Sequence, residues 1–136
     1  MERPELPVEG LDPFAAALKN RIVKDKVFFS HLPDCAREDL IPQYADFCLQ
    51  VEGIEWSVVS GIVNGNLVLS VRNVGYIKSA GEVVREASGK LGSAGGHRAM
   101  AKAVIPVRNL EGEVNLSDPS GVGDFVACKF LGSLHK

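Results

Sequence analysis

Apolar residues recur along this chain with two periods, and the switches between them divide it into elements. Phe14, Leu18 and Ile22 keep helical spacing. Asp12-Pro13 ahead of them reads as an N-cap followed by proline at the first helical position, so a helix is expected over about residues 13–23. Lys26-Val27-Phe28-Phe29-Ser30 reads as a short buried strand. From Arg37 to Val51, the positions Leu40, Tyr44, Phe47 and Val51, widened by Ile41 and Cys48, form one apolar face. That face predicts a second helix. Asp39 is its expected cap, Pro42 is tolerable in its first turn, and Asp46 reads as a solvated or capping carboxylate.

The period then changes to two. Trp56 to Val63 and Leu67 to Arg72 are β-rich runs joined by Asn64-Gly65, a strong hairpin signal. Leu67, Leu69 and Val71 share one face of the second run; Val68, Ser70 and Arg72 share the other. Ser79-Ala80-Gly81-Glu82 matches a capping box. The helix it opens buries Ala80, Val83, Val84, Ala87 and Leu91, and ends at Gly89 or Gly92. A glycine-rich loop and a turn through Ala99-Met100-Ala101 lead to a strand from Ala103 to Val107. Asn109 to Gly121 reads as a polar loop, and Pro119 starts a last helix carrying Val122, Phe125, Val126, Phe130 and Leu134, weakened near its end by Gly132. The expected fold is α/β, a mixed sheet with helices packed on it. The hairpin implies antiparallel pairing, and the strand–helix–loop–strand over 67–107 implies a parallel crossover.

Length and composition narrow the reading. With 136 residues, 46% of them apolar, the chain fits one domain with a proper core. Residues 1–12, rich in Glu and Pro, read as a linker or loose terminus, and residues 13–136 as the domain. A net charge of −2 argues against a general nucleic-acid coat or a membrane-surface protein. Residues 1–56 hold 6 Lys/Arg against 11 Asp/Glu, whereas residues 57–110 hold 7 against 2. An anion is therefore favoured on the second block. Cys35, Cys48 and Cys128 are an odd number without metal spacing, which fits buried or bystander thiols in a reducing cytoplasm. The apolar runs are too short to span a membrane.

The positive block contains Gly92-Ser93-Ala94-Gly95-Gly96-His97-Arg98. Glycines let a backbone approach a ligand with no Cβ in the way, and successive N–H groups can form an anion-binding concavity. His97 and Arg98 follow as donors. The same run also reads simply as a helix stop and a sharp turn. It is neither a Walker loop nor a dinucleotide fingerprint.

Leu69-Ser70-Val71-Arg72-Asn73, followed by Gly92 through Ala101, resembles the C-terminal DHH-associated domain, first subtype, of DHH-type phosphoesterases such as RecJ-like exonucleases and oligonucleotide-degrading enzymes. Ala45-Asp46 and the hairpin add to the likeness, which spans about residues 25–107. The resemblance implies a division of labour. A separate N-terminal DHH domain holds manganese on an Asp-His-His signature, and the C-terminal domain grips a nucleotide, oligonucleotide or other phosphodiester. It puts His97 at the loop histidine and Arg72 at the strand arginine, with backbone N–H groups of Gly95 and Gly96 on phosphate oxygens. Asn73, Lys78, Arg98 and Lys102 are secondary candidates.

This chain has no Asp-His-His; its histidines are His31, His97 and His135, and they form no cluster with metal-ligand spacing. The expectation is a substrate-binding domain with no catalytic residue and no metal or other cofactor of its own, inactive alone. It is either a piece of a longer phosphoesterase or a short protein in its own right. Two alternatives stand beside it. One is a non-enzymatic RNA- or DNA-binding module, since a related domain ends alanyl-tRNA synthetases; Tyr76 and Trp56 would then offer stacking surfaces. The other is an interdomain docking module.

Overall fold

The computed structural model describes residues 6–35, 37–74, 79–96 and 99–135. Ten main elements follow in the order α1 (Leu11–Lys19), β1 (Ile22–Lys24), β2 (Val27–Leu32), α2 (Leu40–Cys48), β3 (Trp56–Val63), β4 (Asn66–Asn73), α3 (Ala80–Ser88), β5 (Ser93–Gly96), β6 (Met100–Pro106) and α4 (Pro119–Leu134), with 3₁₀ turns at Val8–Gly10 and Val107–Leu110. The strands form one sheet in the order β1-β2-β3-β4-β6-β5. β2 and β3 are parallel, and the other neighbours are antiparallel. The fold is therefore the mixed α/β type that the periodicity predicts.

Alternation in the strands divides the interior into two cores. Phe29, Trp56, Val58, Leu67, Leu69, Val71, Ala103 and Ile105 meet α3 and α4 on one face. Phe28, Leu32, Val59, Val63 and Val68 meet α1 and α2 on the other. Rings anchor both layers. Phe130 of α4 stands edge-on to Phe29 and Trp56, with centroids at 5.7 and 5.4 Å. Phe14 of α1 stacks on Tyr44 of α2 at 3.9 Å, and the Tyr44 hydroxyl donates to the Gly10 carbonyl. Trp56 is only 7% exposed, so the stacking role that the nucleic-acid alternative gave it does not hold.

The Asn64-Gly65 hairpin forms as expected, with both residues at positive φ, 51° and 77°, the signature of a type I′ turn. Other expectations shift. α1 begins at Leu11 rather than at Pro13, on Gly10 as N-cap and after the 3₁₀ turn at Val8, so order starts inside the stretch read as a loose terminus. Ile22 belongs to β1, not to that helix; β1 turns into β2 through Asp25 and Lys26, both at positive φ. α2 spans Leu40–Cys48, shorter at both ends than the expected Arg37–Val51. Ser79 is the N-cap of α3, but its side chain makes no capping bond.

The largest correction lies in the glycine-rich run. Ser93–Gly96 is an edge strand rather than a loop, paired antiparallel with β6, which begins at Met100 where a turn was expected. Glycine makes this pairing possible. A Cβ at Gly92 would stand 2.1 Å from the Val104 carbonyl oxygen, and one at Gly96 would stand 2.5 Å from the Ala101 Cα. The parallel crossover therefore runs from β4 through α3 to β5, two places away, and β6 returns between them antiparallel to both.

Candidate functional site

On the face covered by α1 and α2, the helices stop over β4. Beyond them β6 and β5 lie open, and Met100 and Lys102 of β6 face outward while Ala101, Ala103 and Ile105 are buried on the other side. The step between α2 and this open sheet is a cleft of about 380 Å³. Its floor is Val68, Ser70 and Arg72 of β4, Lys102 of β6 and Gly95 of β5; its wall is Glu38, Asp39 and Pro42 at the start of α2. Register sets the floor. Ser70 pairs with Lys102, Arg72 with Met100, and Lys102 with Gly95, so these positions share one face.

Arg72 is the most fixed charge there. Its side chain is 12% exposed. Nη1 donates to the Val71 carbonyl at 3.2 Å, and Nε donates to Asp46 Oδ1 of α2 at 2.6 Å. Nη2 has no bond among the described residues. Lys102 Nζ donates to Glu38 Oε2 at 3.0 Å, both side chains about half exposed. Asp39 takes its partner from Arg37, which holds its carboxyl below the usual carboxylate range. A fixed guanidinium, a lysine, a buried Ser70 hydroxyl and a side-chain-free strand suit a phosphate group, while Val68, Pro42 and Met100 suit an apolar or planar portion attached to it.

The structure thus brings Arg72, Gly95, Gly96 and Lys102 to one cleft. Asn73 points to the opposite face, opposite Trp56, and its backbone N–H donates to the Ala99 carbonyl at 2.9 Å. Tyr76, Lys78, His97 and Arg98 lie outside the described residues. Sequence reasoning missed Glu38 and the Asp46–Arg72 pair. The signal was present, since Glu38, Pro42 and Asp46 are spaced by four, one helical rail. It also missed Arg85 of α3, whose Nη1 would be 3.8 Å from a Cβ built at Gly95.

Among the described residues, no group of three or more His, Cys, Asp and Glu could hold a metal ion. The cleft carboxylates Glu38 and Asp39 are engaged with Lys102 and Arg37, and Asp46 next to the cleft with Arg72. The donor set does not fit manganese, and no chemistry of this site is routed through one. No helix is long and apolar enough to cross a membrane.

No family model matches the chain. An uncharacterized protein of Methanocaldococcus jannaschii is 33% identical over 108 residues, covering 79% of this chain and 22% of that protein. The chain therefore spans less than a quarter of that relative's length. Among solved structures, an exopolyphosphatase-related protein from Bacteroides fragilis is similar with a TM-score of 0.62 at 13% identity, over 96% of this chain and 35% of its own. The C-Ala domain of Aquifex aeolicus alanyl-tRNA synthetase is similar with a TM-score of 0.52 at 16% identity, over 81% of this chain and 93% of its own. A pGpG-specific phosphodiesterase from Vibrio cholerae reaches 0.50 at 13% identity, over 91% and 39%. These likenesses show a shared fold.

Proposed function

We propose that this chain is the substrate-gripping domain of a DHH-family phosphoesterase of the exonuclease or oligonucleotide-hydrolase type. It binds the phosphate of a nucleotide, oligonucleotide or other phosphodiester in the cleft between α2 and the open end of the sheet. A separate DHH domain would hold manganese and hydrolyse the bond. The observation that carries this reading is the placement of Arg72, from β4, in one cleft with Lys102 and Gly95, from β6 and β5. The fold shared with an exopolyphosphatase-related protein and a pGpG-specific phosphodiesterase supports it.

In this reading Arg72 Nη2 and Lys102 Nζ donate to phosphate oxygens. The missing Cβ at Gly95 lets those oxygens approach the backbone of β5. His97, which follows Gly96 directly, adds a donor toward charge building on the phosphoryl oxygens; Arg98 and Lys78 add positive charge. Pro42 and Met100 take the organic part of the ester.

Calorimetric titration with 5′-mononucleotides and short oligonucleotides tests the reading. Arg72→Ala should weaken binding by about 10- to 100-fold, the worth of a hydrogen bond to a charged group, with the fold retained. Equal binding by wild type and variant would overturn it. Manganese-dependent cleavage by the chain alone would overturn the division of labour.

The fold shared over 93% of the alanyl-tRNA synthetase C-Ala chain favours a second reading, a module that binds RNA without cutting it. Its mark would be affinity that grows with RNA length and falls steeply with salt. The buried Trp56 and a cleft with no aromatic side chain among its described lining residues weigh against it.

A further inference from the structure

Each cation of the cleft is met by a carboxylate from the opposite wall. Asp46 reaches Arg72 across 26 residues of sequence, and Glu38 reaches Lys102 across 64. The two carboxylates lie eight residues apart, Glu38 in the turn before α2 and Asp46 within it, and their partners sit on adjacent strands, where Ser70 pairs with Lys102. The pairs form two rungs between the α2 side and the sheet; Glu38, Lys102 and Arg72 line the cleft, and Asp46 reaches Arg72 from outside that lining.

The rungs are asymmetric. Arg72 is 12% exposed and is also tied to the Val71 carbonyl, whereas the Asp46 side chain is 63% exposed and has no other partner among the described residues. Arg72 stays in place without Asp46. Asp46, largely solvated already, can rotate into water when an anion takes its place beside Arg72, which would otherwise be left as an unpaired and mostly buried charge. The carboxylate is the member that leaves.

We propose that Asp46, with Glu38 beside it, is a displaceable internal counter-ion that competes with the incoming anion and sets how tightly the cleft holds it. The proposal rests on the phosphate-binding reading. It makes Asp46 a specificity-determining residue, since an anion meets the open Nη2 of Arg72 directly but must displace the Asp46 carboxylate to engage the Nε edge as well. A neutral ligand cannot do so; an anion can.

The test is titration of inorganic phosphate and a 5′-mononucleotide into wild type, Asp46→Asn, Asp46→Asn/Glu38→Gln and, as a control for net charge, Glu52→Gln, a carboxylate outside the cleft. Asp46→Asn should bind about 2- to 5-fold more tightly than wild type, the equivalent of releasing one exposed ion pair. The double variant should gain further, and the control should not change. Wild-type binding that weakens in Asp46→Asn would make Asp46 a positioning residue for Arg72 and overturn the proposal while leaving the phosphate reading intact. Unchanged affinity, or an equal gain in the control, would also overturn it. Failure of every variant to bind either probe would overturn the phosphate reading and this inference with it.

Discussion

His31 is carried into the interior without an ionic partner among the described residues. It is 8% exposed on β2, with Nδ1 2.9 Å from the Ser60 Oγ on the neighbouring strand. Burial pulls its pKa from the ordinary 6.5 down to about 4. The folded chain therefore holds His31 neutral where the unfolded chain protonates it. Stability from this residue is fully present above pH 6.5 and is lost as the pH falls toward 4; at the lower limit the loss reaches roughly 3 kcal/mol. Denaturant midpoints measured between pH 7 and pH 4 should fall more steeply for wild type than for His31→Gln. Parallel pH curves would show that the imidazole is solvated. The cysteines fit the same picture: burial pushes Cys48 up to about 11 and raises Cys35, which makes both poor nucleophiles.

At the scale of elements, β5 shows how one composition serves two ends. Gly92 and Gly96 are required by the strand pairing, because a Cβ at either would strike the backbone of β6. Gly95 is not; a Cβ there would meet nothing nearer than Arg85 Nη1 at 3.8 Å, an ordinary contact. Its bareness is useful only to something entering the cleft. Gly96→Ala, at φ 153°, should cost on the order of 1–3 kcal/mol in chemical denaturation. Gly95→Ala should be neutral, or stabilising by up to about 1 kcal/mol, yet should bind mononucleotides several-fold more weakly. Loss of stability at Gly95 with no loss of binding would remove that residue from the site. This division was not legible in the sequence, where the glycines look alike and a run of them reads as a turn. Strand formation depends on β6 lying alongside, a tertiary fact. β1 was hidden for the same reason: three residues after a helical stripe carry no period of their own. The β3–β4 hairpin was legible because Asn64-Gly65 encodes its turn locally and the flanking alternation is long. Asp46 was legible as a helix residue but not as a partner of Arg72, since the contact joins elements 26 residues apart.

On the scale of the whole molecule, the two crossovers explain where a site is possible. α2 links the parallel pair β2 and β3 on one face, and α3 links β4 to β5 on the other. Helices therefore cover the α3 side out to the edge strand β5, whereas the α2 side ends over β4. The cleft is the unfinished corner of that layer. The face that each strand residue occupies was readable from alternation, so Arg72 and Ser70 were correctly assigned to a common side. The open corner was not readable, because it depends on strand order.

Trp56, the single tryptophan, sits on the opposite side of the sheet, wedged against Phe130. That placement decides what light can report. Indole emission should be blue-shifted in the native protein and should move to the red as α4 detaches, giving a clean unfolding signal. A nucleotide settling beside Arg72 would be screened from it by the thickness of the sheet. The protein is thus optically sensitive to its own integrity and nearly blind to its ligand. A dye or an indole placed at Met100, on the exposed rim of the cleft, would supply the missing channel.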